Sequence, residues 1–367
     1  MASIAFPSLA KKKCLSDGTT YGYVASAPTE PDKPTFLLLH GYPSSSYDWR
    51  NQIASLSGSG FGVIAPDLLG YGDTDSPSDV GAYRMKSMAE HMAEILDNEG
   101  VSRCVAVSHD WFVIRVHRCV TRLLYRFSSA YTCSRGSGLL SRLTTYIPER
   151  LLGAVFISVG YVEPALVWDI DKLLALTKEA FGYETYGYWP WHNTEEAVED
   201  CDNHKSSVRT LHTYIAKPAS VFSLIYPGIP ADWKVNFAPV GAARDYVRGG
   251  KLDPLPSWYN LAEYTTRDRI LAKGYRGPLN WYKAAMRGIN LPDEESVAEV
   301  DKYCKVPTLL IVSDLDYVTR ADMQSQNTSK WVKELRIETM LDCSHWVQLE
   351  QPEKLQRLLQ SFASEVA

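Results

Sequence analysis

The chain has 367 residues, of which 45% are hydrophobic and 22% are charged, and its formal net charge at pH 7 is −5. This balance is typical of a soluble globular protein with a sizeable buried core, and it excludes a largely disordered chain. Because lysines and arginines cluster in only one short segment, nucleic acid is not an expected partner.

The seven cysteines are an odd number and are widely scattered, without a Cys-x-x-Cys pair. They form no His/Cys cluster at the spacing of metal ligands, and this usage is typical of a reducing compartment. The sequence also lacks a signal-peptide pattern and any run of about 18 apolar residues. We therefore expect no membrane span and a cytoplasmic location.

The N-terminal part of the chain alternates predicted strands with predicted helices. Residues 12–26 have the alternation of a β-hairpin, with Asp17-Gly18 as its turn. Residues 85–99 have apolar positions at helical spacing. Continuous apolar runs, typical of strands buried on both faces of a parallel sheet, lie at 35–39, 62–65 and 103–107. This βαβα order predicts a doubly wound, mostly parallel α/β sheet.

A change of composition follows one more predicted strand at 153–158. Residues 161–290 are rich in aromatic residues and helical in period, and we interpret them as an inserted helical cap. Strand character returns at 308–313 and 336–339, and an amphipathic helix at 353–363 follows. The predicted organisation is an α/β core in two parts, 1–160 and 291–367, interrupted by the cap.

Reactive side chains follow four of the predicted strands. Ligands of doubly wound sheets bind beyond the carboxyl ends of the strands, so these positions are candidate site residues. The four segments are His40-Gly41-Tyr42-Pro43, Ser108-His109-Asp110-Trp111, Asp314-Leu315-Asp316 and Asp342-Cys343-Ser344-His345-Trp346. They supply a nucleophile, an acid and a base in that order along the chain.

The sequence resembles the α/β-hydrolase-fold epoxide hydrolases over nearly the whole chain. The matching strings are LLLHGYPSSSYDWR, DLLGYGDTD, SHDW, YRGPLNWY and LDCSHWVQLEQP. The string HDW after a buried strand is the most specific of them, because a carboxylate stands where esterases and lipases have a serine. The resemblance implies an α/β-hydrolase fold with an inserted helical cap. It also implies an enzyme that converts a small-molecule epoxide and water to a vicinal diol without a cofactor or metal.

The resemblance further implies catalytic roles. Asp110 would attack an epoxide carbon and form an ester, and His345 would activate the water that cleaves this ester. Asp316 would orient His345, with Asp314 as its competitor for this role. The oxyanion hole would be formed by two backbone amides, those of Tyr42 and Trp111.

Opening an epoxide also requires a proton donor for the leaving alkoxide, and phenols on the cap can supply one. Tyr282, in Gly277-Pro278-Leu279-Asn280-Trp281-Tyr282, matches the family's second cap tyrosine. Tyr183, in Phe181-Gly182-Tyr183-Glu184, matches the first one less tightly, with Tyr186 and Tyr188 as alternatives. The residues expected to contact the substrate are His40, Pro43, Trp281 and Trp346.

The sequence departs from the family directly after the nucleophile. The turn from strand to helix requires a small residue two positions after Asp110, but Phe112 stands there. Residues 112–135 contain five arginines and no acidic residue, and removing them joins Trp111 to Gly136, which restores the small residue. We interpret residues 112–135 as the translation of a retained intron. Their 24 codons keep the reading frame, and the codons at the two ends permit a GT start and an AG end.

Three alternatives stay open. Residues 112–127 could form a basic amphipathic helix that binds a membrane surface or an acidic partner. Haloalkane or haloacid dehalogenation shares the aspartyl ester, but it needs halide-binding donors in place of paired cap tyrosines. A non-catalytic protein could keep the fold while the insertion disrupts the turn at Asp110. The sequence carries no prediction of the oligomeric state.

Overall fold

The structure is a computed structural model that describes residues 1–110, 114–115, 132–133, 137–166, 169–204 and 220–367. Within these ranges the strands are β1 (Ala10–Cys14), β2 (Thr20–Ser26), β3 (Thr35–Leu39), β4 (Gly62–Pro66), β5 (Cys104–His109), β6 (Ile114–Arg115), β7 (Thr132–Cys133), β8 (Leu151–Ile157), β9 (Thr308–Ser313) and β10 (Leu335–Met340). The short strands β6 and β7 form a separate antiparallel pair.

The α-helices of the described ranges are α1 (Arg50–Gly58), α2 (Met85–Asn98), α3 (Gly138–Tyr146), α4 (Ile170–Phe181), α5 (Trp189–His192), α6 (Glu196–Asn203), α7 (Ser220–Ile225), α8 (Trp233–Asn236), α9 (Ala242–Arg248), α10 (Leu261–Ile270), α11 (Arg276–Met286), α12 (Leu291–Glu294), α13 (Ala321–Trp331), α14 (Val347–Glu350) and α15 (Pro352–Val366). Short 3₁₀ helices lie at Ala2–Ile4, Pro7–Leu9, Ser46–Trp49, Val80–Ala82, Pro148–Arg150, Pro230–Asp232 and Glu299–Lys302.

The other eight strands form one sheet in the order β1-β2-β4-β3-β5-β8-β9-β10. Strand β2 runs antiparallel to both β1 and β4, whereas the remaining neighbours are parallel. The register pairs Leu37 of β3 with Ile64 on one side and Ala106 on the other. The predicted doubly wound sheet and the N-terminal hairpin are therefore confirmed. Each strand lies within two residues of its predicted bounds.

Both faces of the sheet are buried, because alternate residues of a strand point to opposite sides. On one face, Leu37 and Ala106 belong to the hydrophobic cluster that includes residues of α2 and α3. On the other face, Leu38 and Val107 pack with residues of α1 and α15. Burial on two sides explains why the central strands are continuous apolar runs in the sequence.

Between β8 and β9, the described residues form helices α4–α12, which we call the helical insertion. Local sequence determines several of its helix ends. The Asp169 carboxylate accepts the N–H of Lys172 at 3.1 Å and caps the start of α4, and Gly182, with φ of 82°, ends it. Asn260 caps the start of α10 in the same way. The domain bounds 1–160, 161–290 and 291–367 remain a prediction.

Two buried ion pairs join the helical insertion to the core. Arg142 of α3 donates two hydrogen bonds to the carboxylate of Glu294, at 2.7 and 2.9 Å, and one to the carbonyl of Val162 at 2.8 Å. Val162 lies where the chain leaves the sheet, and Glu294 ends the last helix of the insertion. Arg142 therefore fastens both connections. Arg267 of α10 donates to Asp48, in the 3₁₀ helix that follows β3, at 2.7 Å.

We expect Arg142→Met to lower the free energy of unfolding by about 3 to 5 kcal/mol, because Glu294 would remain buried without its cation. The measurement is chemical denaturation followed by circular dichroism. The control is Arg336→Met, which removes ion pairs with Glu338 and Glu365, whose side chains are 36% and 48% exposed. This control should change stability by less than about 1 kcal/mol. An equal loss in the free energy of unfolding in the two variants would show that the buried ion pair stabilises the fold no more than an exposed one does.

Candidate active site

The predicted site residues lie at the carboxyl ends of parallel strands of the large sheet. Tyr42 follows β3, Asp110 follows β5, Asp316 follows β9 and His345 follows β10. Because these strands are parallel, their carboxyl ends meet at one edge. The structure brings Tyr42, Asp110 and His345 to the wall of one cavity, with Asp316 hydrogen-bonded to His345.

Asp110 occupies a tight turn at the end of β5. Its φ is 58°, in the left-handed region, and its N–H donates to the carbonyl of Ile157 at 3.3 Å. A Cβ atom added to Gly41 would lie 2.5 Å from the Cβ atom of Asp110, so only glycine fits there. A non-glycine residue in this conformation is strained by about 1 to 3 kcal/mol, which is a feature of functional turns. The turn holds the Asp110 carboxylate against the backbone that follows β3.

The two oxygens of Asp110 have different partners. Oδ2 accepts the Tyr42 N–H at 3.0 Å, and Oδ1 lies 3.5 Å from Nε2 of His345. Burial favours the protonated acid, but His345, His109 and the Tyr42 amide outweigh it and hold the pKa of Asp110 below its ordinary value. The carboxylate is therefore ionised at neutral pH, as a nucleophile must be.

His345 lies between two carboxylates. Its Nδ1 donates to Oδ2 of Asp316 at 2.7 Å, and its Nε2 faces Asp110. Burial lowers the pKa of His345, but Asp316 and Asp110 outweigh burial and raise it to about 10. The competitor Asp314 is exposed, and its carboxylate accepts two backbone N–H groups, from Asp342 and Cys343. The geometry thus favours Asp316 as the partner of His345.

The backbone of His345 is fixed by two side chains that sequence reasoning missed. Nε2 of His109 and Oγ of Ser158 both donate to the His345 carbonyl at 2.8 Å. Burial lowers the pKa of His109 to about 4, so its imidazole is neutral at pH 7. The position of His109 directly before the nucleophile was the available signal, whereas Ser158 lies at the end of a strand with no motif around it.

The cavity above Asp110 has a volume of about 20 Å³, enough for a water molecule. Its aromatic walls include Trp233 and Trp346, whose indole N–H groups donate to the carbonyls of Leu224 and Ile225 at 2.7 and 2.9 Å. The full set of lining residues is Tyr42, Asp110, Tyr188, Ile225, Trp233, Phe237, Tyr282, Val318, Thr319, His345 and Trp346. Apart from Asp110 and His345, no residue of this set carries a charge at neutral pH.

Of the four predicted substrate contacts, one lines the cavity. Trp346 lines the cavity, whereas His40, Pro43 and Trp281 are not among the lining residues. Nδ1 of His40 donates to the Gly41 carbonyl and Nε2 accepts the N–H of Leu68, both at 2.9 Å. The Trp281 indole donates to the carbonyl of Leu69 at 2.8 Å. The polar atoms of His40 and Trp281 thus form hydrogen bonds with backbone groups. Pro43 belongs to the turn after β3.

Two tyrosines of the helical insertion line the cavity, Tyr188 of the loop before α5 and Tyr282 of α11, with ring centroids 6.2 Å apart. Burial first, and then the charge of Asp110 among other neighbours, raises the pKa of both phenols well above the ordinary value. Both phenols are therefore neutral at pH 7. The structure does not bring Tyr183 to the cavity, because its hydroxyl donates to the Tyr317 carbonyl at 2.7 Å. Tyr186, the other alternative, is buried but does not line the cavity.

Some predictions fall outside the described ranges. Trp111, the second predicted oxyanion donor, is one of them, and so are residues 112–135 apart from the backbone of β6 and β7. Among the described residues, no group of three or more His, Cys, Asp or Glu side chains could hold a metal ion. In the same part of the chain, every helix is too short or too polar to cross a membrane.

We expect Asp110→Asn to lower the pKa of His345 by about one to three pH units, because it removes one of the two charges that raise this pKa. Histidine signals followed by NMR across a pH series would measure the change. Asp314→Asn is the matched control and should leave the titration of His345 unchanged, since Asp314 binds backbone amides instead. Identical titration in Asp110→Asn and the unsubstituted protein would contradict the coupling.

Comparisons with known proteins agree with this architecture. The family described as alpha/beta hydrolase fold matches residues 34–111. The chain is 29% identical over 357 residues to epoxide hydrolase srdG of Neurospora crassa, covering 95% of this chain and 92% of that protein. It is 26% identical over 361 residues to bifunctional epoxide hydrolase 2 of Mus musculus, covering 94% of this chain but only 56% of the mouse protein.

Solved structures give the same result for the fold. The crystal structure of epoxide hydrolase A from Mycobacterium thermoresistibile has a TM-score of 0.72 and 20% identity, covering 96% of this chain and 98% of that one. The predicted resemblance is confirmed, and this chain has the α/β-hydrolase fold and is similar over nearly its whole length to hydrolases named epoxide hydrolases.

Proposed function

We propose that this protein hydrolyses an epoxide to a vicinal diol through an ester of Asp110. One observation carries the proposal: an ionised, buried Asp110 lies in a cavity with His345 on one side and the phenols of Tyr188 and Tyr282 in its wall. The names of the similar proteins support the same reaction. The helical insertion would act as the cap that supplies the two phenols.

In the first step, Oδ1 of Asp110 attacks an epoxide carbon. A bond forms between Oδ1 and carbon while the carbon–oxygen bond of the ring breaks, and the leaving alkoxide takes a proton from a phenol. Oδ2 remains the carbonyl oxygen, next to the Tyr42 amide that already donates to it. Tyr188 and Tyr282 both line the cavity with Asp110, which supports Tyr188 in the role that the resemblance assigned to Tyr183.

In the second step, water attacks the carbonyl carbon of the Asp110 ester. Once the imidazolium of His345 has passed its Nε2 proton to the phenolate left by the first step, Nε2 takes a proton from the water, and the amide of Tyr42 stabilises the negative charge that develops on Oδ2. Collapse of the intermediate breaks the bond between the carbonyl carbon and Oδ1. The diol oxygen takes the proton from His345, and the remaining proton of the water moves to Nε2 of His345 as the carboxylate forms again.

Ester formation also makes the neutral, proton-accepting form of His345 available at neutral pH. An ionised Asp110 is one of the two groups that raise the pKa of His345 to about 10. Esterification removes this charge, so the pKa falls and the imidazole releases its proton more readily. Asp316 stays ionised and stabilises the imidazolium that forms when water is activated.

The contacts at the cavity favour epoxide opening over dehalogenation. A leaving halide needs hydrogen-bond donors at the cavity, yet the indole N–H groups of Trp233 and Trp346 both donate to backbone carbonyls. The two phenols supply the proton that an alkoxide requires and a halide does not. A neutral epoxide also fits a wall whose only ionised groups are the catalytic carboxylate and imidazole.

We further propose that residues 112–135 impair the protein and that the functional chain lacks them. The flanks of the segment lie together, since Oγ of Ser108 donates to Oγ of Ser137 at 2.5 Å and Ser137 donates to the Val159 carbonyl at 2.9 Å. Helix α3 begins directly after Ser137 and packs on the sheet. In the shorter chain, five residue steps would join Ser108 to Ser137, a reach of up to about 17 Å.

Turnover of an aryl epoxide by the full chain and by a variant lacking residues 112–135 tests this proposal. We expect the shorter chain to form diol about 100-fold faster or more, because a displaced Trp111 amide would remove one oxyanion donor. Diol is measured by chromatography. Asp110→Ala in the shorter chain should abolish turnover. Equal rates in the two chain lengths would refute impairment, and activity in Asp110→Ala would refute the nucleophile.

Single-turnover kinetics of ester formation test the roles of Tyr188 and Tyr282. They are measured in whichever of the two chain lengths turns over the epoxide, which we call the active chain. We expect Tyr188→Phe and Tyr282→Phe each to slow this step about tenfold or more, and the double variant to slow it by about 10² to 10⁴. Tyr183→Phe is the matched control and should stay within about twofold, because its hydroxyl binds the Tyr317 carbonyl. A large effect at Tyr183 with none at Tyr188 would reverse the assignment.

A further inference from the structure

Thr319 lies in the turn that follows β9 and lines the cavity, and its side chain is almost fully buried. The turn folds back on Asp316, because the N–H groups of Val318 and Thr319 both donate to Oδ1 of that carboxylate, at 3.0 and 2.8 Å. Any residue other than proline at position 319 keeps the second of these bonds. A substitution of Thr319 therefore tests its side-chain hydroxyl and leaves this backbone hydrogen bond in place.

The hydroxyl of Thr319 donates to Oδ2 of Asp316, which is the same oxygen that accepts Nδ1 of His345 at 2.7 Å. Its Oγ1 atom also lies 3.5 Å from that nitrogen. The three polar atoms form a closed triangle with the hydroxyl as one corner. Asp316 thus accepts four hydrogen bonds, of which two reach each oxygen.

We propose that Thr319 is a positioning residue of the hydrolytic step, whose hydroxyl fixes the rotation of the Asp316 carboxylate and limits the pull of that carboxylate on the proton of His345. The proposal rests on the aspartyl-ester reaction proposed above. A carboxylate that shares its lone pairs with a second donor is a weaker base toward the first one. The hydroxyl therefore helps to keep the imidazole able to exchange a proton with water.

Charged and titratable groups approach His345 from every element packed against it. Asp110 and His109 approach from the end of β5, and Asp316 approaches from the turn after β9. The remaining groups are Glu350 at the end of α14, whose carboxylate accepts the backbone N–H groups of Ser344 and Trp346, and the phenols Tyr188 and Tyr282 of the helical insertion. Thr319 carries no charge, and its hydroxyl contacts both Asp316 and His345.

The test titrates His345 by NMR in the Asp110→Asn background of the full chain, where a neutral amide stands in for the neutral ester. Thr319→Val keeps the shape of the side chain and removes the hydroxyl, and we expect it to raise the pKa of His345 by about one pH unit. Thr319→Ser keeps the hydroxyl and removes a methyl group, and it should restore the original titration. Thr144→Val, which removes a buried hydroxyl that donates to Ser141, is the control far from His345.

The same variants with Asp110 intact are then compared in the active chain, by the rate of ester hydrolysis at pH 7. An upward shift of about one pH unit predicts a hydrolysis rate about tenfold lower in Thr319→Val, recovering at higher pH, with ester formation little changed. A purely structural role predicts the opposite ranking, with Val tolerated and Ser harmful. An unmoved His345 titration in Thr319→Val overturns the proposal even if epoxide turnover is found, and a moved titration supports it even if epoxide turnover is not.

Discussion

Two buried carboxylates share one imidazole in this molecule, and the arrangement of the sheet edge depends on keeping both ionised. Asp110 and Asp316 each need donors that water would otherwise supply. Asp110 receives the Tyr42 amide from the turn after β3, and Asp316 receives the amides of its own turn. The Thr319 hydroxyl and Nδ1 of His345 donate the other two hydrogen bonds to Asp316, and Nε2 of His345 faces Asp110. No single element carries enough donors, so the charge balance requires several strand ends to meet.

The need for several strand ends to meet also explains the hydrogen bonds and ion pairs that hold these residues in place. The His345 carbonyl receives two hydrogen bonds from neighbouring strand ends, which fix the backbone from which the imidazole extends. The helical insertion is held by Arg142 and Arg267, whose buried ion pairs fasten it to the core at separate places. Tyr188 and Tyr282 of the cavity wall belong to that insertion. Their distance from Asp110 therefore depends on contacts far from the cavity.

The sequence predicted the sheet well, because strands buried on both faces are continuous apolar runs whose reactive residues stand directly after them. It predicted the cap tyrosines only in part, since Tyr183 and Tyr188 are five positions apart in one aromatic stretch and the packing of that stretch decides which phenol reaches the cavity. His40 and Trp281 were predicted from motifs, yet their polar atoms bind backbone. Thr319 carried no motif, because its role arises from a turn that folds back on Asp316.

Two tryptophans in the wall of the cavity are hydrogen-bonded to the C-terminal end of α7. The last carbonyls of a helix have no partner within the helix, and two of those in α7, from Leu224 and Ile225, accept the indoles of Trp233 and Trp346. One indole belongs to the helical insertion and the other to the core. Both are tethered to adjacent residues of a single short helix, so a displacement of α7 would carry both with it. The two indole walls are thereby coupled through one short helix, which also lines the cavity with Ile225.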